Sequence, residues 1–281
     1  VAVAEAWVHA NRRARYASTE GLGQSFAFDL LGTPWNAKKF HDTIAYQLKA
    51  ADETGSSTTW VFSNHDVIRH ATRFGLPESA LANLPKWFRS ADREKLIDKK
   101  VGLDRARAAT MLVLGLPGST YLYQGEELGL QEPLNIPSEQ MQDPQWFRNE
   151  GSISRDGCRV PMPWTRTGSS FGFGPGGAHL PQPSWFGDWS VEAQDGVKGS
   201  TLELYRAALR LRRQLLTEEK LTWVKHWLNP NVLHIVRPNG WIVMTNFGAK
   251  PVKLPKGQLL IASAELVDGK LPANATAWLQ R

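Results

Sequence analysis

The chain has 281 residues, of which 42% are hydrophobic and 21% charged, as in an ordinary globular protein of one or two domains. Its formal net charge of +6 is scattered, and at residues 89–100 basic and acidic side chains alternate as on a solvated helix face, so we expect no nucleic-acid partner. We expect no membrane partner either, because no uninterrupted apolar run reaches the roughly 18 residues that a spanning helix needs.

Four short apolar segments predict β-strands, at residues 1–8, 24–31, 58–66 and 119–123. Near-continuous apolar runs of this kind are typical of strands that are buried on both faces of a parallel sheet. Helical periodicity between them predicts helices at residues 36–51 and 103–114, with Asn36 as the N-cap of the first. Because strands alternate with helices, the predicted fold class is α/β, built from right-handed βαβ units.

Beyond residue 130 the sequence pattern changes twice. Residues 131–199 are rich in Gly, Pro and Trp with little periodicity, and loops of this length are usually functional. A helix capped by Ser200 is predicted at residues 200–216, and beyond it short apolar runs between turn residues predict a small antiparallel β-sandwich. These runs lie at residues 221–224, 232–236, 241–245, 251–254 and 259–262. The predicted domains are therefore residues 1–217 and 218–281.

Two potential acids stand at the ends of predicted strands. Glu5 interrupts the first strand, and the triplet Asn64-His65-Asp66 ends the third. Residues at the C-terminal ends of strands in a parallel α/β barrel are more often catalytic than structural. One such acid alone could simply be capped or paired, but two of them, on strands two apart in the series, favour an active site.

Four motifs, in this order along the chain, resemble the motifs in the second half of proteins of the α-amylase family, glycoside hydrolase family 13. The motifs are Val3-Ala-Glu-Ala-Trp7, Phe62-Ser-Asn-His-Asp66, Gly118-Ser-Thr-Tyr-Leu-Tyr-Gln-Gly-Glu-Glu127 and Arg155-Asp-Gly-Cys-Arg-Val-Pro-Met-Pro-Trp164. Among the branches of the family, the resemblance is closest to bacterial α-glucosidases and oligo-1,6-glucosidases, and it covers essentially the whole chain. It implies strands five to eight of a (β/α)8 TIM barrel, so that the chain is a partial barrel followed by the β domain.

The resemblance also implies roles for particular residues. Glu5 matches the general acid/base of the family, and Asp66 matches the carboxylate that stabilises the transition state and holds sugar hydroxyls. His65 is implied as a substrate ligand, and either Arg155 or Arg159 binds the non-reducing glucose. The implied activity is that of a retaining, exo-acting α-glucosidase on small oligosaccharides of the maltose or isomaltose type. We expect no cofactor, and no metal because the sequence shows no metal-ligand spacing. The preference between 1,4 and 1,6 linkages stays open.

The chain departs from the family pattern at the nucleophile. The nucleophilic Asp of the family ends strand four, and no segment of this chain matches its motif. The chain begins inside a strand and without Met, so we expect it to be the latter part of a longer protein whose N-terminal half barrel is the missing partner. Retaining glycosidases use two carboxyl groups, one of them as nucleophile, so the isolated chain is expected to be inactive.

The sequence also allows other functions, and it suggests roles for several further residues. The alternatives are a non-catalytic remnant that binds sugar or aids folding, a trehalose- or sucrose-processing relative, and a protein-binding adaptor that would use only the β domain. Cys158 is the only cysteine, which excludes an internal disulfide and mildly favours the cytoplasm. We expect Glu126 and Glu127 to be structural, whereas Arg69 and Arg73 could equally contact substrate or position acids. The residues expected to anchor loops are Trp164, Trp185 and Trp189.

Overall fold

The computed structural model describes residues 2–18, 20–149, 151, 153–225 and 229–281. Its strands are β1 (Ala2–Ala4), β2 (Gly23–Ala27), β3 (Thr59–Val61), β4 (Ser119–Tyr121), β5 (Thr222–Trp223), β6 (Val232–Val236), β7 (Trp241–Asn246), β8 (Val252–Lys253), β9 (Gln258–Ala262), β10 (Lys270–Leu271) and β11 (Ala275–Gln280). Its α-helices are α1 (Ala10–Tyr16), α2 (Ala37–Glu53), α3 (His70–Arg73), α4 (Glu78–Leu81), α5 (Leu84–Arg89), α6 (Lys99–Leu114), α7 (Pro144–Arg148), α8 (Asp156–Arg159), α9 (Val191–Gln194) and α10 (Thr201–Leu215).

The chain divides into two compact units. The first unit comprises Val1–Phe62, Arg107–Tyr121 and Ala207–Arg281, and the second comprises Ser63–Ala106 and Leu122–Arg206. In the first unit, strands β1, β2, β3 and β4 form a parallel sheet in that order. The prediction of four parallel strands is confirmed. Within the described residues the sheet is open, so it forms no closed barrel.

Each of these strands except the last is much shorter than its apolar run. β2 ends at Ala27, because the chain then turns into a short 3-10 helix, Phe28–Gly32. The Asp29 carboxylate in this turn accepts hydrogen bonds from Arg13 Nη2 at 2.5 Å and from Gln47 Nε2 at 2.7 Å. These polar anchors come from α1 and α2, which explains why the apolar pattern alone placed the strand end too late.

The long helices follow their sequence signals closely. Asn36 caps α2 as predicted, because its side chain accepts the main-chain N–H of Lys39 at 3.0 Å. Ser200 caps α10 in the same way, through the main-chain N–H of Glu203 at 3.2 Å. The solvated helix face predicted at residues 89–100 is wrong, since residues 90–98 form turns and irregular backbone. Helix α6 begins only after Asp98, whose carboxylate accepts the main-chain N–H of Val101 at 2.9 Å.

The C-terminal part of the first unit is an antiparallel sheet, as predicted. Its strand order is β5-β6-β7-β11-β9, and β8 pairs with β10 in a separate two-stranded sheet. The sequence interpretation missed β11, although it lies between β7 and β9. The side chains of Thr276 and Trp278 on β11 donate hydrogen bonds to the carbonyl oxygens of Ala108 and Met111 at 2.7 and 3.1 Å. The sheet therefore packs on helix α6.

Two arginines close the turn between α6 and β4. Arg237 is 1% exposed and donates to the carbonyl oxygens of Gly115 and Glu218, both at 2.9 Å. Arg212 donates to the carbonyl oxygens of Leu114 and of Gly118, the latter at 2.7 Å. Carbonyls at the end of a helix lack helical partners, so these guanidinium groups supply the missing donors. Gly118 has φ +93°, and a Cβ there would meet the carbonyl oxygen of Thr58 at 2.3 Å.

The second unit consists largely of short helices and turns around an apolar core. This core contains Leu128, Val160, Leu180 and Phe186, with Trp185 and Trp189 packed against it. Residues 131–199, which show little periodicity in sequence, contain only helices of six residues or shorter. Among the described residues, no helix has the length and apolarity that crossing a bilayer requires.

Candidate active site

Asp66 is the meeting point of the predicted site residues in the second unit. The residue follows β3 in a turn, and its main-chain N–H donates to the Asn64 side chain at 2.8 Å. Its Oδ1 accepts hydrogen bonds from Arg155 Nη1 at 2.9 Å and from Arg159 Nη2 at 3.1 Å. His65 Nε2 lies 3.6 Å from the same oxygen. Within this unit, the structure thus brings together Asp66, His65, Arg155 and Arg159.

A buried carboxylate holds Arg155 in place. Asp143 has a side chain that is 0% exposed, and it accepts Arg155 Nε at 2.9 Å and Arg155 Nη2 at 2.7 Å. Burial alone would raise the pKa of Asp143, but the hydrogen bonds from Arg155 and from the main chain outweigh it and lower this pKa to about 2. The hydrogen bond to Asp143 is also the main reason that the pKa of Arg155 is raised. This two-point ion pair fixes the plane of the guanidinium.

A second acid organises the backbone around that ion pair. Asp156 is 1% exposed, and its Oδ2 accepts the main-chain N–H groups of Gln142 and Asp143 and the hydroxyl of Ser154, all within 3.0 Å. Sequence reasoning did not single out Asp143 or Asp156. The signal for Asp143 was available, since Asp before Pro144 is a typical helix start, and Asp143 indeed caps α7.

Arg155 and Arg159, between which the sequence could not choose, differ in the hydrogen bonds that their side-chain nitrogens donate. Arg155 uses all three of its side-chain nitrogens, two on Asp143 and one on Asp66. Arg159 donates Nε to the carbonyl oxygen of His65 at 2.8 Å and Nη2 to Asp66, and within the described residues its Nη1 makes no hydrogen bond. Asp66 Oδ2 likewise accepts none of the hydrogen bonds among the described residues. Arg159 and Asp66 therefore keep atoms that a ligand can use.

Arg69 holds the segment that carries these residues. It is 2% exposed and donates to the carbonyl oxygens of Gln124 at 2.7 Å, Cys158 at 3.0 Å and Val160 at 3.4 Å. Its main-chain N–H donates to Glu132 Oε2 at 2.8 Å. The guanidinium of Arg69 is buried against backbone carbonyl oxygens, which suits support of this segment better than contact with substrate or a salt bridge to an acid.

Glu126 belongs to a buried cluster rather than to an open site. It is 6% exposed, its Oε1 lies 3.9 Å from His70 Nδ1, and His70 lies 2.9 Å from the Ser63 hydroxyl. Burial raises the pKa of Glu126 to about 8 and lowers the pKa of His70 to about 3. Burial also raises the pKa of the neighbouring Glu132 to about 7. This environment agrees with the structural role expected for Glu126.

Arg73 lies in the same unit and is 6% exposed. It donates Nη1 to the carbonyl oxygen of Ile68 at 2.6 Å, and burial lowers its pKa to about 10. A buried guanidinium bound to backbone suits structural support better than contact with substrate.

Trp164 is 49% exposed, whereas Trp185 and Trp189 are more buried. The expectation that these tryptophans anchor loops therefore fits Trp185 and Trp189 better than Trp164.

Glu5 lies in the first unit, directly after β1. It is exposed. Two residues further on, the side chain of Trp7 is 63% exposed and its ring stacks on Phe28, with centroids 4.3 Å apart and planes 21° apart. Glu5 and this aromatic pair share the C-terminal edge of the sheet, because β1 and β2 are parallel.

Several known proteins are similar to this chain in sequence. A family model described as the alpha amylase catalytic domain matches residues 16–219. The chain is 32% identical over 158 residues to a probable alpha-glucosidase of Rhizobium meliloti strain 1021, which covers 55% of this chain and 24% of that protein. It is 25% identical over 220 residues to alpha-glucosidase MAL12 of Saccharomyces cerevisiae, which covers 69% of this chain and 34% of that protein.

Solved structures share the fold. The chain matches the alpha-glucosyl transfer enzyme XgtA with a TM-score of 0.74 and 28% identity, over 100% of this chain and 51% of that one. It matches the trehalulose synthase MutB with a TM-score of 0.76 over 100% of this chain and 56% of that one, and at 19% identity this likeness concerns the fold alone. The chain therefore spans about half the length of these solved proteins and 24% to 34% of those two curated relatives.

Proposed function

This chain belongs to the α-amylase family, and from that premise we propose that it is part of a retaining α-glucosidase. The proposed reaction removes the terminal glucose from short α-glucosides of the maltose or isomaltose type. The observation that carries the proposal is the state of the Asp66 carboxylate. One of its oxygens is bound by two guanidinium groups, and the other is available.

In this proposal Asp66 Oδ2 accepts a hydroxyl of the bound glucose, and its negative charge stabilises the positive charge that develops on the sugar ring in the transition state. Arg159, through Nη1, and His65 are the further substrate ligands. Arg155 orients Asp66 and is itself held by Asp143. In this proposal Arg159, and not Arg155, is the arginine that contacts the sugar.

Glu5 is the proposed general acid and base. It would protonate the leaving oxygen first and then remove a proton from the incoming water. The reaction also needs a carboxylate nucleophile to form the glucosyl-enzyme, and we propose that an N-terminal half barrel supplies it together with the neighbouring strand. The polypeptide of residues 1–281 alone would then be inactive. The division into residues 1–217 of a barrel and 218–281 of a β-sandwich is part of the same proposal.

A second candidate is glucosyl transfer, in which a sugar hydroxyl instead of water attacks the glucosyl-enzyme. The match to a protein described as an alpha-glucosyl transfer enzyme, at 28% identity, favours this candidate. Both reactions share their first step, so the roles of Glu5 and Asp66 would be unchanged. The products distinguish them, because transfer yields a longer saccharide and hydrolysis yields free glucose.

The test compares residues 1–281 with the product of the reading frame extended upstream of Val1. We expect the longer protein to release α-glucose from maltose or isomaltose, and residues 1–281 to release none. In the longer protein, Glu5→Gln should lower the rate by about 10²–10⁴-fold, the usual contribution of general acid catalysis. Glu20→Gln, at another exposed position, is the matched control. Initial release of β-glucose, or a Glu5-dependent activity of residues 1–281, would contradict the proposal.

A further inference from the structure

Glu132 is a buried acid of the second unit that contacts two separate segments of the Asp66 site. It is 5% exposed, and its Oε2 accepts the main-chain N–H of Arg69 at 2.8 Å. Arg69 lies three residues after Asp66, so this hydrogen bond holds the segment that carries Asp66. The other oxygen, Oε1, lies so close to Gly157 that a Cβ there would come within 2.3 Å of it.

Helix α8, to which Gly157 belongs, carries the two arginines of the site at its ends. Arg155 is the N-cap residue of this helix, and Arg159 is its last residue. The main-chain N–H of Cys158, between them, donates a hydrogen bond to the Glu132 carboxylate. Because Gly157 has no side chain, the carboxylate can approach the backbone between the two arginines. One buried acid therefore connects the two segments that meet in the site.

The position of Glu132 is itself fixed by helix α3. Its main-chain N–H donates to Thr72 Oγ1 at 2.7 Å, and the Thr72 hydroxyl donates to Gln131 Oε1 at 2.8 Å. Thr72 is 0% exposed, so water does not compete for these hydrogen bonds. The carboxylate is thus held at a defined place between α3 and α8, and a change in its own hydrogen bonds acts on the position of α8.

The charge of Glu132 changes near neutral pH. Burial raises its pKa to about 7, and the rise is limited by the positive charges of Arg69 and Arg73 and by the two main-chain donors. The Cys158 thiol also faces this carboxylate, but burial raises the pKa of the thiol, and the pKa of Arg73 is about 10, so both keep their protons at neutral pH. The ionised carboxylate accepts both N–H groups, whereas the protonated form directs an O–H at one of them and loses that hydrogen bond.

We propose that Glu132 is a positioning residue, whose carboxylate sets the place of helix α8 relative to Asp66 and thereby aligns Arg159 for the sugar. The inference rests on the proposed α-glucosidase function, in which Asp66 and Arg159 are sugar ligands. When Glu132 takes up a proton, α8 loses one of its anchors and Arg159 shifts relative to Asp66. Sugar binding therefore weakens on the acidic side of neutrality.

The experiment follows the Nε resonance of Arg159 by NMR in the full 281-residue chain, where the resonance that disappears in Arg159→Lys identifies it. We expect this resonance to move with pH through a midpoint of about 7, the pKa of Glu132. In Glu132→Gln, which cannot titrate, it should stay near the acidic limit of the parent chain. The matched control is Glu126→Gln, at the other buried acid with a raised pKa, and it should keep the parental titration. His65→Gln should keep it too, which excludes the imidazole that lies 3.6 Å from Asp66.

An Arg159 resonance that does not move with pH overturns the inference. The same holds for a titration that persists in Glu132→Gln, or for one that disappears in His65→Gln or Glu126→Gln. The parental titration and these two control variants need no change at Glu132, so the proposal stays falsifiable even where Glu132→Gln does not fold.

The activity of the longer protein separates positioning from general support of the fold. With maltose, the parent should exceed Glu132→Gln in kcat/KM by about 10–100-fold above neutral pH, the usual cost of a misplaced site, and by much less in acid. A merely structural role would lower the activity of the variant alike at every pH. Hydrolysis with pH profiles of the same shape would reject the positioning role alone. An Arg159 titration that depends on Glu132, without any hydrolysis, would reject the proposed α-glucosidase and leave the positioning of α8 standing.

Discussion

Asp66 and Asp143 share a single guanidinium. Arg155 directs Nη1 at Asp66 and the remaining two nitrogens at Asp143, with donor–acceptor distances between 2.7 and 2.9 Å. Asp143 is 0% exposed, whereas the side chain of Asp66 is 24% exposed. The buried acid therefore fixes a cation that in turn orients the accessible acid, and this arrangement separates structural support from ligand contact.

The first prediction concerns the buried member of that pair. Asp143→Asn removes the negative charge beside Arg155, and breaking a buried ion pair costs about 3–5 kcal/mol, so we expect a loss of about 3 kcal/mol because Arg155 is partly exposed. Urea unfolding measures the change. Asp188→Asn is the control, because Asp188 is 80% exposed where it pairs with Arg166, and it should have little effect. Equal stability of the two variants would contradict the role of Asp143.

The second prediction concerns pH. Burial raises the pKa of Glu126 from 4.5 to about 8 and that of Glu132 from 4.5 to about 7, so the folded chain holds protons that the unfolded chain has lost. His70, whose pKa falls from 6.5 to about 3, acts in the opposite sense below pH 6.5. The free energy of unfolding should therefore fall as the pH rises from about 6.5 to about 8.

Glu126→Gln tests this prediction, since glutamine cannot titrate. Unfolding by urea at several pH values between 6.5 and 8 should show a shallower decline in this variant than in the parent chain. Glu139→Gln, at an exposed position, is the control and should keep the parental slope. A decline that is the same in all three proteins would show that Glu126 is not the titrating group.

The third prediction concerns the close approach of Gly157 to Glu132. A Cβ at Gly157 would lie 2.3 Å from Glu132 Oε1 and 2.7 Å from the carbonyl oxygen of Pro133. Gly157→Ala should therefore destabilise the chain by about 1–3 kcal/mol, the usual cost of overpacking. Gly174→Ala meets no atom within 4 Å and should be neutral or slightly stabilising. Thermal unfolding of both variants gives the comparison.

The fourth prediction concerns Arg237. Replacing it by Met keeps an apolar stem but leaves the carbonyl oxygens of Gly115 and Glu218 without this donor. A buried polar group that loses its partner costs about 1–3 kcal/mol, so we expect a loss of at least 1–3 kcal/mol in urea unfolding. Arg213→Met, on the exposed side of α10, should change stability little. A neutral Arg237→Met would mean that water replaces the guanidinium.

Local signals predicted the long helices α2 and α10 and the positions of the four parallel strands, but not every regular element. The caps Asn36 and Ser200 were visible because a capping side chain acts within three residues, and the strands were visible because their burial imposes a continuous apolar run. β11 was missed because its buried Thr276 looks polar in sequence. The carbonyl oxygen of Ala108, 168 residues away, and the Thr245 hydroxyl at 2.8 Å are the partners that make that hydroxyl acceptable in the core.

In the candidate site too, contacts between residues distant in sequence could not be predicted. Asp66 and the two arginines were selected by family motifs, but motifs could not choose between Arg155 and Arg159. The choice depends on Asp143, which engages Arg155 and leaves Arg159 with a free nitrogen among the described residues. Pairings between residues distant along the chain leave no periodic trace, so sequence patterns identify the chemistry of the site better than its internal support.

The turn between α6 and β4 also has a consequence for the time at which this chain folds during synthesis. The ribosome has made all four parallel strands once residue 121 is complete, yet Arg212 lies 94 residues after Gly118 and Arg237 lies 122 residues after Gly115. Contacts of such long sequence separation form late, because the intervening chain must first be ordered. Nascent chains that end before residue 212 therefore carry β4 without either of the two arginines that bind the turn before it.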